Sequence, residues 1–257
     1  MHRRDYLSMA TAATTVASVT LAGCTTAVAS IPPPDVPAER LEAGGWTERD
    51  RRQWTAFEET YTGVTVEGKA HTITYEDTAL RRAIHLKTMG QIDTAVSVFA
   101  ATRLDLSSGV ESLPVAETVI LEEVGAATRT SFEDRLRDAG LTAVERTGTG
   151  DLSVETGETA RLTNYRASLP RQTLRFPVAA DETIEVEIDQ VRIDGDLAVW
   201  RHDASILVAT AAYPAENVVT AVDKALTNAV SVDVTIDLGL TPEAYRTEVR
   251  ELMTAVE

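Results

Sequence analysis

Leu197-Ala198-Val199-Trp200-Arg201-His202-Asp203-Ala204-Ser205-Ile206-Leu207-Val208-Ala209-Thr210-Ala211-Ala212 is the stretch on which the fold turns. Two runs rich in β-branched and aromatic residues flank the polar turn His202-Asp203-Ala204-Ser205, so strands are expected at 197–201 and 205–212. Ile206-Leu207-Val208-Ala209 is apolar on both parities, as a central strand covered on both faces must be.

Upstream of this pair, from Leu141, the hydrophobic period is two. It predicts strands at 141–147, 151–157, 159–168, 173–178 and 183–193, with turns at Gly148-Thr149-Gly150 and Asp194-Gly195-Asp196. Val191 and Ile193 fall on the parity held earlier by Glu185, Glu187 and Asp189. A β-bulge or strand switch is therefore expected near Asp189-Gln190. Before Leu141 the period lengthens. Pro114 suits a helix start, Val119, Ile120, Val124, Ala127, Phe132 and Leu136 form one apolar stripe, and Gly140 closes the helix.

Nearer the N-terminus, Val96, Val98, Ala100 and Thr102 alternate as a strand ending near Leu106. Asp77 or Thr78 can cap a short helix through Lys87 that stops at Gly90. Val64, Val66 and Thr72 to Tyr75 alternate around Glu67-Gly68-Lys69, which reads as a hairpin. Thr47 to Tyr61 carries Trp54, Phe57 and Tyr61 at helix-like spacing. Downstream, Pro214 is placed to start a helix with Val218, Val222, Ala225 and Ala229 on one face. A strand at 231–237 follows, and Thr241 with Pro242 opens a terminal helix to about Ala255. The expected fold class is α+β, a mostly antiparallel sheet packed with two or three longer helices.

Composition narrows the function classes. The chain has 257 residues, with 24 Lys and Arg against 40 Asp and Glu, a formal net charge of -16. A nucleic-acid binder needs a basic stripe to displace counterions, so nucleic acid is not an expected partner. Hydrophobic residues at 44% are enough for a core. Only Lys69, Lys87 and Lys224 are lysines. So acidic a domain repels itself in dilute buffer, whereas at about 1 M salt the Debye length falls to ~3 Å. The composition resembles that of proteins from extreme halophiles.

The N-terminus reads as an address. Met1-His2-Arg3-Arg4-Asp5-Tyr6-Leu7 opens the chain, a mild Thr-, Ala- and Ser-rich apolar stretch follows, and Leu21-Ala22-Gly23-Cys24 ends it. Paired Arg3 and Arg4 before an aromatic and a Leu resemble the twin-arginine export signal. Leu21, Ala22, Gly23 and Cys24 resemble a lipobox: small residues let a peptidase reach the bond, and the sulfur of Cys24, the only Cys, takes a lipid. Two long acyl chains at about 0.8 kcal/mol per buried methylene would hold the protein to a membrane. Residues 1–23 are expected to be the signal peptide. Residues 24–45, with Pro32, Pro33, Pro34 and Pro37, form the lipidated Cys and a proline-rich tether. Residues 46–257 are read as one globular domain.

Tyr75-Glu76-Asp77, Phe99-Ala100-Ala101-Thr102-Arg103-Leu104, Ala198-Val199-Trp200 and Ala212-Tyr213-Pro214-Ala215-Glu216 resemble a family of halophilic archaeal lipoproteins of unknown function, over roughly residues 40 to 230. The resemblance implies export and lipid anchoring, and it supplies no catalytic residues.

Candidate chemistry is sparse. Glu185, Glu187 and Asp189 put carboxylates along one strand face, a row that could serve Ca²⁺ or be a solvated acidic face. Asp194-Gly195-Asp196 lacks the rest of an EF-hand loop. Glu58-Glu59 and Glu122-Glu123 are adjacent pairs, which point in different directions on a helix. His71, His85 and His202 are scattered, and His202-Asp203 with Ser205 lies outside any G-x-S-x-G elbow. Trp46, Trp54, Trp200 and Tyr213 could line a cleft or pack the core. No catalytic residue, metal site or cofactor is expected. The expected role is non-catalytic solute or protein binding at the outer face of the cytoplasmic membrane. The membrane is met through Cys24, and the export machinery and signal peptidase are transient partners. The rivals are an extracytoplasmic hydrolase with a site assembled from distant residues and a structural component of the cell envelope.

Overall fold

A computed structural model describes residues 31–61, 64–106, 114–179, 182–227 and 230–257. The residues of the export signal and lipobox lie outside these. In chain order the elements are α1 (Ala38–Ala43), β1 (Trp46–Tyr61), β2 (Val64–Asp77), α2 (Thr78–Lys87), β3 (Val98–Leu106), α3 (Pro114–Asp138), β4 (Thr142–Ser153), β5 (Thr159–Leu169), β6 (Gln172–Ala179), β7 (Glu182–Ile188), β8 (Val191–His202), β9 (Ser205–Pro214), β10 (Val219–Thr227), β11 (Val230–Asp237) and α4 (Pro242–Thr254).

The described strands form a seven-stranded sheet in the order β1-β2-β3-β9-β8-β5-β4, antiparallel throughout, with two-stranded ribbons β6-β7 and β10-β11 beside it. β9 is central, as its two-sided apolar run requires. Leu207 and Ala209 belong to the core on one face, and Ile206 and Val208 to the core on the other. The first face is covered by α4 through Val249, Leu252 and Met253, with Trp46 and Leu41. The second is covered by α3 through Ile120, Val124, Phe132 and Leu136. A third core joins Leu80 and Ile84 of α2 to Leu174, Phe176, Ile184 and Val186 of one ribbon and Ile236 of the other.

The expected α+β class is corrected. Strand accounts for 53% of the chain and helix for 25%, so the fold is β-rich. Two expected helices account for the difference. Thr47 to Tyr61 lies in β1, and Val219 to Thr227 in β10, while Ala229 is outside the described residues. A spacing of four residues returns to the same side of a strand as well as of a helix. Val218 and Val222 therefore satisfied both periods, and cross-strand pairing of β10 with β11 decided between them. β1 tolerates its charges because it is an edge strand.

Three expected turns are strand interiors instead. Gly68 lies within β2, Gly148-Thr149-Gly150 within β4 and Asp194-Gly195-Asp196 within β8. In the first two cases the chain stays extended beside a register irregularity, between Thr55 and Phe57 on β1 and between Arg146 and Gly148 on β4. The parity change near Asp189-Gln190 is a strand switch: β7 ends at Ile188 in a ribbon and β8 begins at Val191 in the main sheet.

Local signals held where they involved covalently near partners. Asp77 caps α2, its Oδ1 accepting from the Leu80 amide at 2.8 Å. Pro242 opens α4. Of the stretch expected as tether, residues 31–45 lie on the fold. Val36 and Leu41 are buried, and the backbones of Asp35 and Glu257 exchange hydrogen bonds of 2.6 and 2.9 Å. Among the described residues no helix is long and apolar enough to cross a membrane.

Candidate functional site

Between α3 and the β1-β2-β3-β9 end of the sheet lies a groove of about 360 Å³. Helical periodicity builds one wall. Ile120, Val124, the pairs Ala127-Thr128 and Ser131-Phe132, and Arg135 recur every three or four residues, so they share a face of α3. The apolar residues at both ends of that stripe seat the helix on the sheet. The small residues Ala127, Thr128 and Ser131 between them leave the gap unfilled.

Strand periodicity builds the floor. Ala70 of β2, Thr102 and Leu104 of β3, and Val208 and Thr210 of β9 all point to the α3 side of the sheet. Ala70 and Leu104 are nearly without solvent contact. Thr102 and Thr72 share a hydroxyl hydrogen bond of 2.6 Å, which satisfies them without filling the space above. Apolar walls with a few hydroxyls make this a container for hydrocarbon with limited polar recognition.

The rim is charged. Trp54 of β1 is 37% exposed, and the Arg52 guanidinium lies 5.0 Å from its ring centroid, a cation–π stack. Arg135 stands at the C-terminal end of the α3 wall. Loss of solvent around its guanidinium, and then repulsion from Arg52, push its pKa below the usual arginine value, with Asp50 opposing. An arginine stays protonated in a protein. Arg135 is an exposed residue, so its charge is presented at the mouth of the groove. Neither Arg52 nor Arg135 makes an ion pair with a described residue.

The histidines do not converge here. His71 is buried on the opposite face of the sheet, with Nδ1 2.9 Å from Gln53 Nε2 and 3.2 Å from the Ile31 carbonyl oxygen. His85, on α2, lies 3.7 Å from Asp93 in the segment that follows the helix. His202 sits 2.9 Å from Glu158, which also accepts from the Thr156 hydroxyl. Ser205 donates to Asp105 at 2.6 Å rather than to His202, so the His202-Asp203-Ser205 sequence is not a relay.

Other expected clusters are also spoken for. Glu185 pairs with Arg175 at 2.9 Å, and Arg171 lies 3.6 Å from Glu187 and 3.1 Å from Asp189. Among the described residues no group of three His, Cys, Asp or Glu is placed to hold a metal ion. Of the aromatics, Trp46, Trp200 and Tyr213 are core residues, and Trp54 lines the groove. Glu123 lines the groove, while Glu58 is exposed on β1.

Sequence reading found the α3 stripe but not the groove. Its signal was present: three small residues interrupt an otherwise bulky apolar stripe. Arg52 and Arg135 gave no comparable signal, because they come to one groove only when α3 packs on the sheet face toward which β1 turns Trp54.

Comparison with curated proteins and with solved structures gave no match. A family described as a domain of unknown function (DUF6517) matches residues 33–257, from just before α1 through all of α4. Both walls of the groove fall inside that span, and the chain belongs to the DUF6517 family.

Proposed function

We propose that this protein is a non-catalytic, solute-binding lipoprotein of a halophilic archaeon, exported by the twin-arginine route and held at the outer face of the cytoplasmic membrane by a lipid on Cys24. The observation that carries the binding role is the 360 Å³ groove with its apolar floor. Its volume lies in the range of small-molecule sites, about 300–1,000 Å³. The titratable side chains on its lining are Arg135 and Glu123, at opposite ends of the α3 wall about three turns apart. That arrangement favours holding a molecule over acid–base turnover, which needs donor and acceptor within reach of one reacting atom.

Support for the address comes from Arg3-Arg4, Leu21-Ala22-Gly23-Cys24 and the lysine-poor charge of -16. Cys24→Ala should release the protein into the medium, and retention of that variant on membranes would refute the anchor. Arg3→Lys with Arg4→Lys should leave a precursor in the cell; normal export would refute the route. For the binding role, an environment-sensitive apolar dye should bind the folded protein in molar KCl. Ala127→Leu, which puts a branched side chain into the groove, should abolish that binding while the protein still melts cooperatively. Equal dye binding by both proteins would remove the groove from the proposal.

A further inference from the structure

We infer that the groove selects a single-chain anionic amphiphile, taken from solution, whose hydrocarbon lies between α3 and the sheet and whose carboxylate or phosphate monoester head sits between Arg135 and Arg52. This deepens the solute-binding reading and rests on it.

Size limits the occupant first. The groove's 360 Å³ is near the lower end of the range for small-molecule sites, about 300–1,000 Å³. That suits one medium-length chain better than the bulk of a two-chain lipid. The long axis follows α3, where Ile120, Val124 and Phe132 offer only hydrocarbon, so an extended aliphatic body fits.

Charge sets the polarity of binding. In a chain of net charge -16 an anion is repelled at long range. In molar salt that field is screened within about 3 Å, and only cations in contact matter. Arg135 on α3 and Arg52, stacked on the Trp54 that lines the β1 side, are two such cations at the same groove. A carboxylate between them would gain charge-assisted hydrogen bonds from both. Stacking on Trp54 leaves the edge of the Arg52 guanidinium available, and the Ser131 hydroxyl stands one helical turn before Arg135. Farther along the wall Ile120 and Val124 offer no cation, so the head lies at the Arg135 end.

The test compares decanoate, decanol and decylamine with the intact folded protein in molar KCl, by calorimetry. One charge-assisted contact should make decanoate bind about ten- to a hundredfold tighter than decanol, with decylamine weakest. Arg135→Gln should bring decanoate down to the affinity of decanol and leave decanol unchanged. Arg52→Gln, on the β1 side of the same rim, should do so in part, and guards against misfolding of the first variant. Decanol binding as tightly as decanoate would overturn the anion selectivity and leave the solute-binding role standing. Failure of all three ligands would overturn both.

Discussion

The ring of Phe132 on α3 lies directly over Gly195 in the middle of β8. A Cβ at Gly195 would stand 3.2 Å from Phe132 Cε1, 3.3 Å from Cζ and 3.3 Å from Tyr165 Cβ. Tyr165 is the cross-strand partner of Gly195, and its ring meets that of Phe132 edge-on at 5.2 Å. The missing side chain is thus the seat of the helix, and through it one wall of the groove.

Gly195→Val should therefore push α3 off the sheet. The expected loss is about 1–3 kcal/mol of stability, the usual range for overpacking a filled core. Denaturant unfolding in molar KCl measures it. Unchanged stability with unchanged dye binding would show that α3 is not held at this point.

Asp196, one residue on and on the other face, locks α4. Its carboxylate is 2% exposed and accepts from Asn164 at 2.6 Å, the Tyr213 hydroxyl at 3.1 Å and Arg250 Nε at 3.2 Å. Burial first, then the Asp196 charge, push the Tyr213 phenol well above its usual pKa, so it stays a donor. Asp196→Ala strands a buried phenolic donor and should cost about 1–3 kcal/mol, with Asp196→Asn costing less. Equal stability of Asp196→Ala and wild type would show that apolar burial alone holds α4.

Trp46 Nε1–H donates to Glu248 at 2.6 Å, and this pair makes a pH prediction. Burial raises the Glu248 pKa, Trp46 opposes, and Asp77 and Glu251 add repulsion. The folded state then holds this proton more tightly than the unfolded chain. Its contribution to stability is present below the unfolded value, near 4, and is lost as pH rises through the folded one. Glu248→Gln can still accept from Trp46. Relative to wild type it should gain stability as pH rises from about 4 to 7. Lowered carboxylates such as Glu48, Glu155 and Asp237 have the opposite sign but are common to both proteins. A difference in Tm that does not vary with pH would refute the assignment.

Salt is the remaining lever. With a formal charge of -16, the folded domain should lose cooperative melting in dilute buffer and regain it toward about 1 M KCl, where repulsion is screened. A Tm independent of KCl would overturn the halophilic reading.

Legibility followed the range of the interaction. The cap at Asp77, Pro242 at the start of α4 and the buried two-sided run of β9 were readable, because each depends on neighbours within a few residues or on burial alone. Trp54, Phe57 and Tyr61 misled, since steps of three and four also occur by chance on a strand whose partner, β2, is the deciding factor.

By itself the sequence determined the acidic charge, the central hairpin of β8 and β9, and the helices whose caps lie next to them in the chain. Tertiary structure alone decided that Gly195 is a seat and not a turn, that Val222 lies in a strand, and that Arg52 and Arg135 share a rim. The reason is physical. Local propensities differ by fractions of a kcal/mol per residue, so contacts between segments far apart in the chain override them.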